Sequence, residues 1–219
     1  MLMNSFRNRT ILLIVLIATM SGCEGSFGYP WHFTLKFPET ADLGELWLVE
    51  DVNCFTCGNG EKYLGHATGT HDIHLPAAHW FVRLKMPKNA SALLPNLADP
   101  SLSNIGEINL EGSDITDSDL KYLAGINLCS VNLSRTKITG FGLKYLRPNR
   151  KWIFVYLHGC DNLDPQYLSH FKGWKLATIS LVGYKWGESY SEHEMKVLES
   201  ARQFICDGQP EDICGTQIR

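Results

Sequence analysis

Ile105-Gly-Glu-Ile-Asn-Leu110 is followed by Leu128-Cys-Ser-Val-Asn-Leu133, by Trp152-Ile-Phe-Val-Tyr-Leu157 and by Leu176-Ala-Thr-Ile-Ser-Leu181. Each stretch has the form apolar-x-x-apolar-x-apolar, and their last residues are 23, 24 and 24 positions apart. Three apolar positions held in phase over four copies mark an internal repeat, and a short period of this kind marks stacked supersecondary units. The alternation at the end of each stretch predicts a strand, with Ile108 and Leu110 turned inward and Asn109 outward. One unit cannot bury its apolar row alone, whereas stacked units bury a continuous column.

The remainder of each unit repeats as well. Three residues beyond the last apolar position stand Ser113, Thr136, Cys160 and Tyr184, followed by Ile115, Ile138, Leu163 and Trp186. Then come the pairs Leu120/Leu123, Leu143/Leu146 and Leu168/Phe171, whose i, i+3 spacing puts both members on one helical face, and finally Met195 and Leu198. Asp164 before Pro165 reads as a helix N-cap with proline in the first turn. Ser191-Glu-His-Glu194 reads as a capping box opening a longer helix that Gly208 and Pro210 close.

These units resemble the leucine-rich repeat family, L-x-x-L-x-L-x-x-[N/C/T]-x-[I/L]. Ser113-Asp-Ile-Thr-Asp117 and Thr136-Lys-Ile-Thr139 look like its T-x-I-T-D variant, common in planctomycete-type bacterial proteins and related to the cysteine-containing subclass. The resemblance covers residues 105 to about 200. It implies an α/β fold: a short leucine-rich repeat solenoid with parallel strands on the concave side and helices on the convex side. Repeat three carries an inserted residue and repeat four replaces the small ladder residue with Tyr184, which implies an irregular end to the array.

A small, mostly antiparallel β module precedes the repeats. Trp31, Phe33, Leu35 and Phe37 alternate as in a strand, and residues 45–50, 63–68, 71–75 and 80–85 also read as extended. Gly58-Asn-Gly60 and Gly69 supply turns. Val82 and Leu84 fit the inward repeat positions, so the last strand doubles as a degenerate first repeat, with Leu93, Leu94 and Leu97 as its helix. His79 stands where that repeat expects an apolar residue. The module is expected to cap the apolar end of the stack.

With 219 residues, 44% of them hydrophobic and 20% charged, the chain has ordinary globular content. The net charge of −3 argues against a nucleic-acid partner, as does the absence of any Lys/Arg run longer than two. At its start, Arg7 and Arg9 precede the apolar stretch Ile11 to Met20. Ten helical residues rise about 15 Å, half the thickness of a bilayer core, so the stretch reads as the core of an export signal. Met20-Ser21-Gly22-Cys23 resembles the bacterial lipoprotein box, with Met20 where leucine is usual. The resemblance implies acylation at Cys23, membrane attachment through lipid, and a place in the cell envelope facing periplasm or exterior. Residues 1–22 are then the signal peptide, 23–40 the tether and first strand, 41–78 the β module, 79–190 the repeats (79–104 degenerate) and 191–219 a C-terminal capping helix and tail.

Six further cysteines, Cys54, Cys57, Cys129, Cys160, Cys206 and Cys214, would meet an oxidising compartment, and their pairing is open. Cys206 and Cys214 are expected to staple the tail, and Cys129 and Cys160 to fill repeat interiors. Cys54-Phe-Thr-Cys57 is followed at once by glycines rather than a helix, so it reads as a disulfide-bonded loop more than a redox pair. The metal alternative combines Cys54 and Cys57 with His66 and His71, near His74 and His79; strand alternation sends His71 and His74 to opposite faces. No G-x-S-x-G, P-loop, H-E-x-x-H or G-x-G-x-x-G motif is present, and no catalytic residue is assigned. Asp117, Asp119 and Asp164 read as turn and cap residues.

The outward strand positions are the natural binding surface. They are Glu107, Asn109 and Glu111, then Ser130, Asn132 and Ser134, then Phe154, Tyr156 and His158, then Thr178, Ser180 and Val182. Asn109, Asn132, Phe154, Tyr156, His158 and Ser180 are the expected contacts, with the two aromatics as anchors. Arg83 and Lys85 lie beside Glu107 and Glu111 and are expected to pair with them. The sequence therefore reads as a tethered, non-enzymatic binding module for a protein or peptide, without cofactor. The alternatives are a metal or thiol-redox protein centred on Cys54 and Cys57, and a structural envelope component.

Overall fold

The computed structural model describes residues 31–50, 60–77, 80–146, 153–171 and 176–180, with helical positions at Glu192, Lys196 and Glu199. The export signal, Cys23, Cys54, Cys57, His79, Cys206 and Cys214 lie outside the described residues, as do Val182 and Tyr184. The chain is mixed α/β, built on a mixed sheet.

Nine strands are described: β1 (His32–Lys36), β2 (Glu45–Glu50), β3 (Glu61–His66), β4 (Thr70–His74), β5 (Trp80–Lys85), β6 (Ile105–Asn109), β7 (Ser130–Asn132), β8 (Ile153–Tyr156) and β9 (Leu176–Ser180). β1 and β4 form an antiparallel pair of their own, and the other seven form one sheet in the order β3-β2-β5-β6-β7-β8-β9. β2 lies antiparallel to both β3 and β5. From β5 onward every neighbour is parallel.

The register of that parallel run follows the sequence phase. Leu84 lies opposite Ile108, Ile108 opposite Val131, Val131 opposite Val155, and Val155 opposite Ile179. Val82, Leu84, Ile105, Ile108, Leu110, Val131, Leu133, Val155 and Leu157 are all fully buried, so equivalent positions of successive units feed one interior. The small-residue ladder lies just beyond. The Ser113 hydroxyl donates to the Leu110 carbonyl (2.7 Å), the Thr136 hydroxyl to the Leu133 carbonyl (2.6 Å), and the Cys160 thiol to that same Leu133 carbonyl (3.1 Å). Only a small polar side chain can bury itself there while satisfying the carbonyl. At the turn that follows each strand, Gly112, Arg135 and Gly159 take positive φ (68°, 57° and 67°).

One expectation is corrected. The return segments are not α-helices. Ala90–Ala92, Leu94–Ala98, Pro100–Asn104, Asp119–Leu123, Phe141–Tyr145 and Pro165–Phe171 are all 3-10 turns. Side chains at i and i+3 eclipse in a 3-10 helix, so the leucine spacing that reads as an α-helical face serves this tighter helix as well. Leu120, Leu123, Leu143, Leu146, Leu168 and Phe171 are buried accordingly. A segment of five to seven residues also spans more distance at about 2.0 Å per residue than at the 1.5 Å of an α-helix. β5 joins β2 antiparallel on one edge to β6 parallel on the other, so the last strand of the β module is also the first of the parallel run. The strands expected around residues 63–68 and 71–75 begin slightly earlier, at Glu61 and Thr70.

Asp117 ties one unit to the next. Its carboxylate accepts from the backbone N–H groups of Thr139 (2.8 Å), Gly140 (3.0 Å) and Gly142 (2.7 Å) and from the Thr139 hydroxyl (2.9 Å). A preceding link is similar: Asp114 accepts from the Ser91 N–H at 2.9 Å, and Asp119 from the Ser91 hydroxyl at 3.0 Å. Asp164 caps Pro165–Phe171 as its sequence position predicts, accepting from the Gln166 N–H at 3.0 Å.

Candidate functional site

The face of the sheet opposite the apolar column carries two cross-strand rows. One runs Tyr63, Trp47, Arg83, Glu107, Ser130, Phe154 and Thr178 in consecutive register. The other runs Glu45, Lys85, Asn109, Asn132, Tyr156 and Ser180. All but one of the expected contacts, Asn109, Asn132, Phe154, Tyr156 and Ser180, thus fall in these rows, and His158 follows just beyond β8. Thr178 and Ser180 are placed here by backbone register alone.

The face divides by chemistry. At its β3–β2 end the rings of Trp47 and Tyr63 lie 5.1 Å apart, and Tyr63 is exposed. The centre is charged. Arg83 donates through Nε to Glu107 and through Nη1 to Glu61, both at 2.7 Å. Glu107 is 7% exposed, and this burial pushes its carboxyl above the ordinary range, with Arg83 pulling it back. Arg83 answers to two carboxylates, which hold its guanidinium firmly charged against the cost of its own burial. The expected partner of Lys85, Glu111, is corrected. Lys85 bonds Glu45 at 3.2 Å across the antiparallel β2–β5 register, while Glu111 takes Arg135 at 3.1 Å. Lys85, with Trp47 Nε1, holds the Glu45 carboxyl below its usual range.

Toward β7 the polar candidates are already engaged. Asn109 accepts the N–H of Glu111 and Asn132 that of Ser134, each at 3.0 Å, so both amides end their strands in local turns. Ser130 and Ser134 are buried, although strand alternation points them outward. The Ser134 hydroxyl and His158 Nδ1 are 2.8 Å apart. Ser134 is fully covered, so this contact positions the imidazole. Burial lowers the His158 pKa; Glu111 opposes this and Arg135 adds to it, and the neutral ring is favoured at neutral pH. Phe154 and Tyr156 remain half-buried.

Two contributors went unread in the sequence. Trp47 and Tyr63 extend the face by two strands. The parity of Trp47 was available from the alternation of residues 45–50, but the pairing of β2 with β3 and β5 is a long-range event that local pattern does not carry. The histidines of the metal alternative have other partners. His66 Nδ1 meets Asp42 at 2.7 Å, and His71 Nε2 meets the Thr68 carbonyl at 3.0 Å. Among the described residues no group of three or more His, Cys, Asp or Glu side chains could hold a metal ion, and no helix is long and apolar enough to cross a membrane. No family model, curated protein or solved structure matches this chain.

Proposed function

We propose that this chain is an exported, lipid-tethered binding module of leucine-rich repeat type, a short solenoid that recognises a protein or peptide on its open sheet face. The carrying observation is the uninterrupted parallel register from Leu84 to Ile179, which gives the chain one apolar interior and one ordered outer face. Phe154 and Tyr156 are the anchors, since aromatic rings contribute large contact area at low conformational cost. His158 flanks them as a neutral imidazole. Asn109 and Asn132, whose amides end strands, shape the floor more than they grip. Attachment to the envelope membrane comes through Cys23, and no catalytic role enters this reading.

The test is site-specific photo-crosslinking on intact cells, with the crosslinker at position 156 and, as control, at the exposed Lys137. Position 156 is expected to give one discrete adduct that position 137 does not, and Phe154→Ala is expected to diminish it. Equal adducts from both positions would remove the face, and no adduct at all would favour a structural envelope component. A Cys23→Ser variant is expected to leave the membrane fraction.

A further inference from the structure

β1 and β4 form a two-stranded sheet whose inner side buries Phe33, Leu35 and Ile73. Its outer side carries three cross-strand pairs: His32 with His74, Thr34 with Asp72, and Lys36 with Thr70. The ladder bonds fix the kind of pair. Leu75 N–H donates to the Trp31 carbonyl (2.9 Å) and Phe37 N–H to the Gly69 carbonyl (2.7 Å), so the odd positions of β1 form the hydrogen-bonded pairs. His32 and His74 therefore form a non-hydrogen-bonded pair, the geometry in which opposing Cα atoms lie about 4.5 Å apart and side chains come closest. Their imidazoles stack with centroids 4.3 Å apart and planes inclined by 17°.

Both residues are exposed, and among the described residues no hydrogen bond engages either ring. This sets them apart from His66, His71 and His158, whose ring nitrogens have partners. The ladder fixes both Cα–Cβ vectors, while the ring torsion of histidine is broad. Shared ligation of one ion requires the two rings to leave the stack by turning about that torsion, and no hydrogen bond among the described residues opposes the turn. Neutral imidazole is the preferred ligand of late first-row divalent metals, with metal–nitrogen distances of about 2.0–2.1 Å for zinc. Asp72, one rung away on the same side and bonded to the Thr34 hydroxyl at 2.7 Å, adds negative charge nearby.

The geometry points to a surface site at which His32 and His74 together bind a divalent late transition-metal ion, with water in the remaining positions. Two protein nitrogens make it an open, exchangeable site rather than a closed structural one. A bound ion would bridge β1 and β4. This inference does not depend on the sheet face proposed above.

The experiment is calorimetric titration of the full chain, purified in detergent and stripped with chelator, with NiCl2 and with ZnCl2. Nickel should also selectively broaden the His32 and His74 imidazole resonances when added below one equivalent. His32→Ala and His74→Ala are each expected to weaken binding at this site at least tenfold, and His32→Gln to do the same while keeping a polar surface. Cys54→Ser with Cys57→Ser should leave the broadening of the two imidazoles unchanged. Broadening that spares both imidazoles, or titrations that His32→Gln and His74→Ala leave unaltered, would overturn the proposal.

Discussion

Asp117 and Gly142 belong to successive units and touch through backbone. The Asp117 carboxylate accepts the Gly142 N–H at 2.7 Å, and a Cβ on Gly142 would sit 2.3 Å from the Asp117 carbonyl oxygen. The aspartate of one unit thus closes on the following turn only because that turn lacks a side chain. Gly142→Ala is expected to cost about 1–3 kcal/mol by overpacking against main chain that has little room to give. Gly125→Ala, where nothing lies within 4 Å, is the control, expected to shift stability by no more than about 0.5 kcal/mol. Urea unfolding of the two variants checks the contrast.

Asp117→Ala removes the acceptor for three backbone N–H groups at once. Charge-assisted hydrogen bonds contribute about 1.5–3 kcal/mol, and unsatisfied donors add to the loss. The variant is expected to lose at least about 2 kcal/mol, with protection from hydrogen exchange falling at residues 139–142 before it falls in β6.

Leu133 is fully buried in the middle of the parallel run. Leu133→Ala is expected to cost about 2–5 kcal/mol through the cavity left behind. A loss below about 1 kcal/mol in denaturant titration would mean that the units do not share one interior.

Arg83 is the counter-charge of the buried Glu107. Burial raises the Glu107 carboxyl in the folded chain, so the folded state takes up a proton more readily than the unfolded one. Stability linked to this group is then fully present below the ordinary glutamate range and declines as pH rises through the raised value. Arg83→Met should steepen that decline by removing the opposing charge. It is expected to destabilise by on the order of 3 kcal/mol at about pH 7. The deficit should shrink on acidification, as the carboxyl that burial pushes up takes on a proton in the variant. A deficit that grows on acidification would refute the role given to Arg83.

Cys129 and Cys160 are buried in the core, and burial pushes the Cys160 thiol up, away from the reactive thiolate. Alkylation followed by peptide mass spectrometry is expected to leave both unlabelled in the native chain and to label both in denaturant.

Much of the architecture lay open in the sequence. The repeat phase of Ile108, Val131, Val155 and Ile179 is also their strand register, because stacked units must align equivalent apolar residues to share one interior. The ladder positions Ser113 and Thr136 and the cap at Asp164 were equally legible, since each satisfies a carbonyl or N–H within a few residues; Cys160 was legible by its place in the repeat, although it reaches the Leu133 carbonyl 27 residues back. The candidate face was legible only as a list of outward positions. Alternation places Ser130, Ser134 and Glu107 there, yet tertiary packing covers all three, and the amides of Asn109 and Asn132 go to turns.

From the amino-acid order alone came the period, the inward residues and the extended character of residues 31–37, 45–50, 63–68, 71–75 and 80–85. Tertiary structure alone decided that β2 joins β5, that Lys85 meets Glu45 rather than Glu111, that His32 lies against His74, and that the return segments wind as 3-10 turns. The physical reason is range. Periodicity and capping act over one or a few turns of chain, whereas strand partners, ion pairs and burial arise between residues far apart in sequence, where only the folded backbone sets who is near whom.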